Sequence, residues 1–491
     1  MKNRIFFAIF SAMVLLSLAV SMGLGNIVQP ARADNASAAS LAASSPWFTS
    51  WADSSTSASV GSYASIAFSP LDNQPYISYY DAVNGNLMLA SPVASGGNCG
   101  TNNRWWCRVV DGDGVGDHSD ADVGKYSSIA FWKSTSGLVS WKLGITYYDV
   151  TNNALKYAVY HKFGLNPASW DIVTIISSAG SSISGDGTYT SLKYNSGGDP
   201  QIAYHAWRFT IGGTVGYLKY AQSLTSGGNC GEDTAAGKWQ CDTVDSGGTG
   251  SSSFGLYASL DVDYGDGLFI AYYDGKNGNL KYAYYAGIGT CSNGWECSTI
   301  DSTGDVGQFA SLRAKQSSSD VLHIAYYDKT NGKLKYATSG WAAGNCGSGN
   351  SWYCMSVDTI GSGMAQVGIS LDLDADGYPI IAYQDASQEQ GPSILNIARP
   401  ALAYGIPMGI GNCGDPSCPD PGCLFSYFQC NTIDNAAYGY GYVYLADFTS
   451  VAVGPTGLAT IAYYEVDDYN MDQNLKVTYQ LYQLYLPLLQ K

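Results

Sequence analysis

Positive charge is scarce in this chain. Of 491 residues, 24 are Lys or Arg and 40 are Asp or Glu, for a formal charge of −16. A surface this acidic repels phosphate backbones, which argues against nucleic acid as a partner. Charged residues of both signs make up only 13%, and apolar residues nowhere recur at helical spacing, so a helical fold is excluded. Long apolar runs are missing after the first two dozen residues, and nothing beyond them reads as a membrane span. Gly and Tyr, by contrast, number 58 and 39, as expected of many short strands joined by tight turns.

The N-terminus carries Lys2 and Arg4, an apolar run from Ile5 to Leu24, and Ala31-Arg32-Ala33, the small-x-small pattern of a cleavage site. Residues 1–33 therefore read as a signal peptide and 34–43 as a linker, with the run's length leaving an uncleaved anchor as the alternative. Loss of Lys2, Arg4 and Arg32 takes the charge to −19.

One pattern then recurs: Ser-Ile/Leu-Ala, a turn, Ile-Ala-Tyr-Tyr-Asp, a turn with Asn-Gly, Leu-Lys-Tyr-Ala, a variable loop, and Trp with Asp six residues on. Units begin near Ser65, Ser128, Ser191, Ser259, Ser311, Ser370 and Ser450. Alternating Pro75–Asp81 followed by Asn84-Gly85 and Leu87–Ala90 is a hairpin signal, so each unit is a four-stranded meander. The outer-strand signature occurs as Trp105/Asp111, Trp239/Asp245, Trp295/Asp301, Trp352/Asp358 and Phe428/Asp434, whereas Trp170 leads to Ile176. The seventh unit stops after three strands, and its fourth stands at the other end of the chain as Trp47/Asp53. A displaced strand of this kind closes a ring and leaves no open edge. The expected fold is all-β, a seven-bladed β-propeller over 44–480, because stacked sandwiches would not explain the displaced strand.

Twelve cysteines, all beyond the signal segment, fit disulfides in an oxidising compartment. Cys99/Cys107, Cys230/Cys241, Cys291/Cys297 and Cys346/Cys354 each bracket the loop between strands three and four. Blade six holds Cys413, Cys418, Cys423 and Cys430, read as an outer pair Cys413/Cys430 around Cys418/Cys423. A zinc tetrahedron is the alternative for these four.

Loops joining strands two to three and four to one emerge on one face, the candidate binding face. The acid ending strand two (Asp81, Asp149, Asp274, Asp328, Asp385, with Glu465 in blade seven) reads as a turn cap and as the partner of a strand-three Lys such as Lys156, Lys281, Lys335 or Lys476. Blade three departs from the pattern with His205, Trp207 and Arg208, which could stack on and hydrogen-bond a ligand, and these are the candidate ligand-binding residues. The Gly-rich segment with Asp111, Asp113, Asp117, Asp120 and Asp122 offers hard oxygen ligands suited to calcium. Asp372-Leu-Asp374-Ala-Asp376-Gly377 falls on a hairpin and reads as a turn.

The units, with Ile-Ser/Ala-Tyr-Tyr-Asp, Asn-Gly and Leu-Lys-Tyr-Ala, resemble a repeat of large exported bacterial proteins over Trp47 to Thr478, distantly like sialidase-type and lectin propellers. The resemblance implies the propeller fold and favours glycan binding, although no lectin motif transfers residue by residue. Sialidase-like chemistry would need an arginine cluster, and beyond the signal only Arg104, Arg108, Arg208, Arg313 and Arg399 are present. The Ser-x-Asp-x-Gly-x-Thr-Trp box typical of sialidase blades is absent. The tail at 481–491, with Tyr485-Leu-Pro487-Leu-Leu, resembles a C-terminal sorting motif of exported proteins, with a plain apolar strand as the alternative. The expectation is thus a secreted or cell-surface, monomeric propeller that binds a carbohydrate or protein through its loop-rich face. A sialidase-like glycoside hydrolase is the runner-up.

Overall fold

The Tyr- and Ile-rich segments pair as antiparallel meanders. In blade one, Val60–Phe68, Pro75–Asp81, Asn86–Pro92 and Trp105–Asp111 lie side by side in chain order, and the computed structural model repeats this sheet around a ring of seven blades. It describes residues 47–481 apart from 55–58, 116–119, 135–139, 164–168, 179–183, 232–237, 248–252, 316–320, 341–343, 363–366, 388–392, 401–410, 415–426, 436–442 and 468–471. The segments read as signal and linker, the tail beyond Leu481, and Cys418 and Cys423 lie outside the described residues. Among the described residues, no helix is long and apolar enough to cross a membrane.

The displaced strand closes the ring as expected. Trp47–Asp53 pairs antiparallel with Asp472–Gln480, so blade seven is built from both ends of the repeat array. Among the described residues, blade six alone gains a fifth strand, the short Cys413–Gly414 beside Tyr427–Asn435.

Side chains of each sheet alternate between its two neighbours, so the apolar core is divided into layers between blades. The outer-strand aromatic packs on a third-strand Tyr of the preceding blade: Trp239 on Tyr157, Trp295 on Tyr220, Trp352 on Tyr282 and Phe428 on Tyr336, with ring centres 5.2–5.7 Å apart. Such edge-on pairs each contribute about 0.5–1.5 kcal/mol beyond area burial.

The Ser that opens each unit ties its blade to the next. Ser65 Oγ accepts the Ile129 amide of the next blade, and Ser128, Ser191, Ser259, Ser311 and Ser370 do the same for Leu192, Leu260, Leu312, Leu371 and Val451. Ser450 returns the bond to Ile66, closing the circle at 3.1 Å.

Among the described residues, five disulfides join Cys99–Cys107, Cys230–Cys241, Cys291–Cys297, Cys346–Cys354 and Cys413–Cys430. They staple the loops between strands three and four, on the face opposite the candidate one. Their number fits an extracellular or otherwise oxidising compartment.

The strand-two Asp is a turn cap, as read from the sequence. Asp81 accepts the amides of Val83 and Asn84 through one oxygen and the Asn84 side chain through the other, and Asp149, Asp274 and Asp328 repeat the arrangement with Asn152, Asn277 and Asn331. The expected pairing with lysine needs correction. Lys156, Lys281 and Lys335 reach instead across the blade junction to Asp111, Asp245 and Asp301, the outer-strand carboxylates of the preceding blades. Lys476 alone touches both, Asp434 at 2.7 Å and Glu465 at 3.0 Å. The bulge in each outer strand turns its Asp toward the next blade, and the first Tyr of Tyr-Tyr-Asp donates to the same carboxylate.

Candidate functional site

Two residues before each unit's Ser, the inner strand carries an aromatic in six blades: Tyr63, Tyr126, Tyr189, Tyr257, Phe309 and Phe448. All six have φ between 51° and 57°, in the left-handed region that bulky side chains avoid at a cost of about 1–3 kcal/mol. A double irregularity in the pairing of strands one and two imposes this conformation. In blades one to five a Gly two positions earlier lets the strand lie against the backbone of the adjacent blade, whereas blade seven has Ala446 there. A Cβ on Gly124 would lie 2.8 Å from the Leu87 backbone, and one on Gly255 2.6 Å from that of Leu218.

The strained backbone turns the six rings into a collar around the channel. Ring centres run from Phe448 to Tyr63 at 4.3 Å, to Tyr126 at 4.7 Å, to Tyr189 at 4.6 Å, to Tyr257 at 4.7 Å and to Phe309 at 4.2 Å, with planes tilted by 42–64°. Each ring leans on the next. The second residue of the Tyr-Tyr-Asp motif backs each one, as Tyr80 does Tyr63 and Tyr148 does Tyr126. Burial holds the phenols of Tyr63, Tyr189 and Tyr257 above their ordinary range, so they stay neutral hydroxyls.

Blade six breaks the collar. Gly368 stands in the aromatic place, and Gln384 replaces the backing Tyr. Gln384 is buried, its amide donating to Ser393, to the Leu445 carbonyl and to Asp447 at 2.7 Å. Six rings in a seven-fold circle thus leave a slot, with Phe309 on one side, Phe448 on the other and Gly368 behind. Collar and slot enclose a cavity of about 270 Å³ whose described lining is aromatic, aliphatic or hydroxyl-bearing, with Val367 and Ile369 on either side of Gly368, and carries no ionised side chain.

The residues singled out in blade three do not line this cavity. His205 is the backing residue of Tyr189, 7% exposed, with Nδ1 2.7 Å from Thr188 Oγ1. Burial lowers its pKa to about 4, so it is neutral at physiological pH. Arg208 pairs with buried Asp186 at 2.8 Å and donates to the carbonyls of Gly185 and Trp207. Trp207 lies over Gly185, where a Cβ would meet the indole nitrogen at 2.6 Å. The departure has a structural origin. The outer strand of blade two offers Ile176 where other blades have Asp, so buried Tyr204 lacks the usual acceptor, and Asp186 brings a carboxylate to this junction from the inner strand.

The aspartates considered for calcium are dispersed. Asp111 is fully buried and bonded to Tyr147 and Lys156, Asp113 caps the Val115 amide, and Asp122 accepts the Tyr80 hydroxyl at 2.7 Å. Asp117 lies outside the described residues, and no three of the others bring ligand atoms together. Asp374 caps the amides of Asp376 and Tyr378, as a turn requires.

No family model and no curated protein matches the chain. Among solved structures, the GH93 α-L-arabinofuranosidase of Fusarium graminearum aligns at 10% identity over 69% of this chain and 93% of its own, with a TM-score of 0.42. The fucose-specific lectin from Aleuria aurantia aligns at 13% identity over 73% and 99%, with a TM-score of 0.39. A polysaccharide lyase gives 10%, 85%, 90% and 0.40. At these scores none of the three carries weight for what this chain binds.

The sequence reading missed the collar. Its signal was present as Gly-x-Tyr/Phe-x-Ser, found intact in blades one to five.

Proposed function

We propose that the protein is a carbohydrate-binding propeller that seats one sugar ring in the slot at blade six. The missing seventh ring of the collar carries this reading. The gap stands where a seventh ring would complete the collar, and the rings of Phe309 and Phe448 that flank it are of the kind on which the C–H face of a pyranose stacks. Tyr63, Tyr126, Tyr189 and Tyr257 of blades one to four add hydroxyl groups to the same lining and complete the amphipathic match. Backbone strain repeated in six blades adds support, because strain of this kind persists where surrounding structure holds a site in shape. Binding is favoured over cleavage, since glycoside hydrolysis needs a carboxylate pair and the described cavity wall holds none.

A glycan array on the full chain, followed by titration with the best monosaccharide, tests the reading. Gly368→Trp should fill the slot and abolish binding while leaving thermal unfolding within a few degrees of the parent. Undiminished binding by a folded Gly368→Trp variant would refute it.

A further inference from the structure

Beyond the serine ring, toward the stapled face, the axis widens into a cavity of about 940 Å³. The inner-strand residue after the ring's Ile, Leu or Val divides this wall in two. In blades seven, one and two it is Ala452, Ala67 and Ala130, whereas over blades three to six it alternates as Lys193, Asp261, Arg313 and Asp372.

The alternation has a chemical result. Lys193 Nζ lies 3.1 Å from Asp261 Oδ1, and Arg313 Nε 3.0 Å from Asp372 Oδ1. The remaining carboxylate oxygens accept the amides of Ala314 and Val453, at 2.8 Å and 2.7 Å. Both acids are therefore committed to the fold. The bases are not: Arg313 sends Nη1 to its neighbour's carbonyl, and Nη2 meets no protein acceptor among the described residues. The Lys193 ammonium likewise keeps donors beyond its ion pair, and its side chain is 30% exposed. The arc thus presents N–H donors with no net charge of its own, and with Lys133, Asp263 and Asp266 the whole lining carries three cations against four anions, so it offers an anion no surplus of positive charge. Neutral oxygens suit such donors better than a carboxylate or phosphate, which would bring an unmatched charge. The largely exposed Tyr264 adds a flat ring of the kind that stacks on sugars.

We infer that this funnel is a second carbohydrate site, taking a neutral oligosaccharide whose hydroxyl and ring oxygens accept from Lys193 and Arg313. It is independent of the slot, with its own wall and its own hydrogen-bonding character.

The test is hydrogen-exchange mass spectrometry on the full chain with neutral oligosaccharides of glucose, mannose, galactose, xylose and arabinose, with a uronate oligosaccharide as the charged control. The expected result is slowed exchange at residues 191–196 and 311–315 with at least one neutral sugar. Lys193→Met and Arg313→Met should each weaken that binding about 10-fold or more, the size of losing a charged hydrogen bond. Arg313→Lys should recover part of it, and Gly368→Trp should leave it intact. Protection elsewhere only, binding of the uronate alone, or full affinity in Lys193→Met would overturn the inference. Exchange is located on the parent protein, so a variant that fails to fold does not remove the test.

Discussion

At the scale of single residues, the molecule is defined by bulky side chains held where backbones resist them. Tyr126 sits at φ 57° with a neighbouring ring on each side. Gly relaxes that backbone and Val strains it further, so the two substitutions separate conformation from ring contact. Tyr126→Val should unfold about 1–3 kcal/mol more easily than Tyr126→Gly, as chemical denaturation would measure. Equal losses would mean that ring contact alone sets the cost. The sequence showed these positions as Tyr or Phe within a strand and gave no direct sign of positive φ. The Gly two residues earlier was the available clue, and at Gly124 its role depends on contact with Leu87 of another blade. A pattern read within one unit could not reveal it.

At the scale of strands and their junctions, a relay of Tyr, Asp and Lys joins one blade to the next, and its composition varies around the ring. Burial alone would raise the pKa of Asp301, but the hydrogen bond and charge of Lys335 outweigh it and hold the carboxyl below its ordinary value. Asp53 and Asp358 face Met88 and Asn396 where other junctions have Lys, and burial leaves their pKa values raised. The signs are therefore opposite. The Asp301 contribution is present above the unfolded-state pKa and is lost as pH falls through the lower folded value. At Asp53 and Asp358 the folded state holds the proton more tightly, so their contribution is present at low pH and lost as pH rises through the folded value. Asp301→Asn should cost about 3 kcal/mol at pH 7 by leaving Lys335 unmatched, and the loss should shrink toward pH 3. Met88→Lys should give the reverse, a gain near neutrality that fades in acid. Urea unfolding at several pH values checks both, and pH-independent effects would contradict the relay. The sequence placed these Asp and Lys residues correctly on their strands. It misassigned their partners, because alternation within a blade does not say which side chain crosses to its neighbour.

At the scale of the whole molecule, the chain is a ring closed by its own beginning. Seven Ser hydroxyls link successive inner strands, and Trp47–Asp53 completes the last blade, with Asp53 accepting the Tyr79 hydroxyl at 2.6 Å across the closing junction. Deleting residues 47–53 should therefore speed amide exchange first along 472–480, before any other strand, as hydrogen-exchange mass spectrometry would show. Uniform loss of protection would instead mean that the ring unfolds as one unit. This architecture was legible in the sequence because the repeat, the displaced strand and the paired cysteines are all patterns of spacing. The candidate site was not, because it is made by the absence of one ring among seven and is visible only when the units stand around an axis. The central claim is that the absence is filled by a sugar. The most direct measurement is the crystal structure of the protein with the monosaccharide it binds best on an array. The account predicts a pyranose between Phe309 and Phe448, edge toward Gly368. A sugar bound only at a blade junction or on the outer strands, with the slot empty, would contradict it.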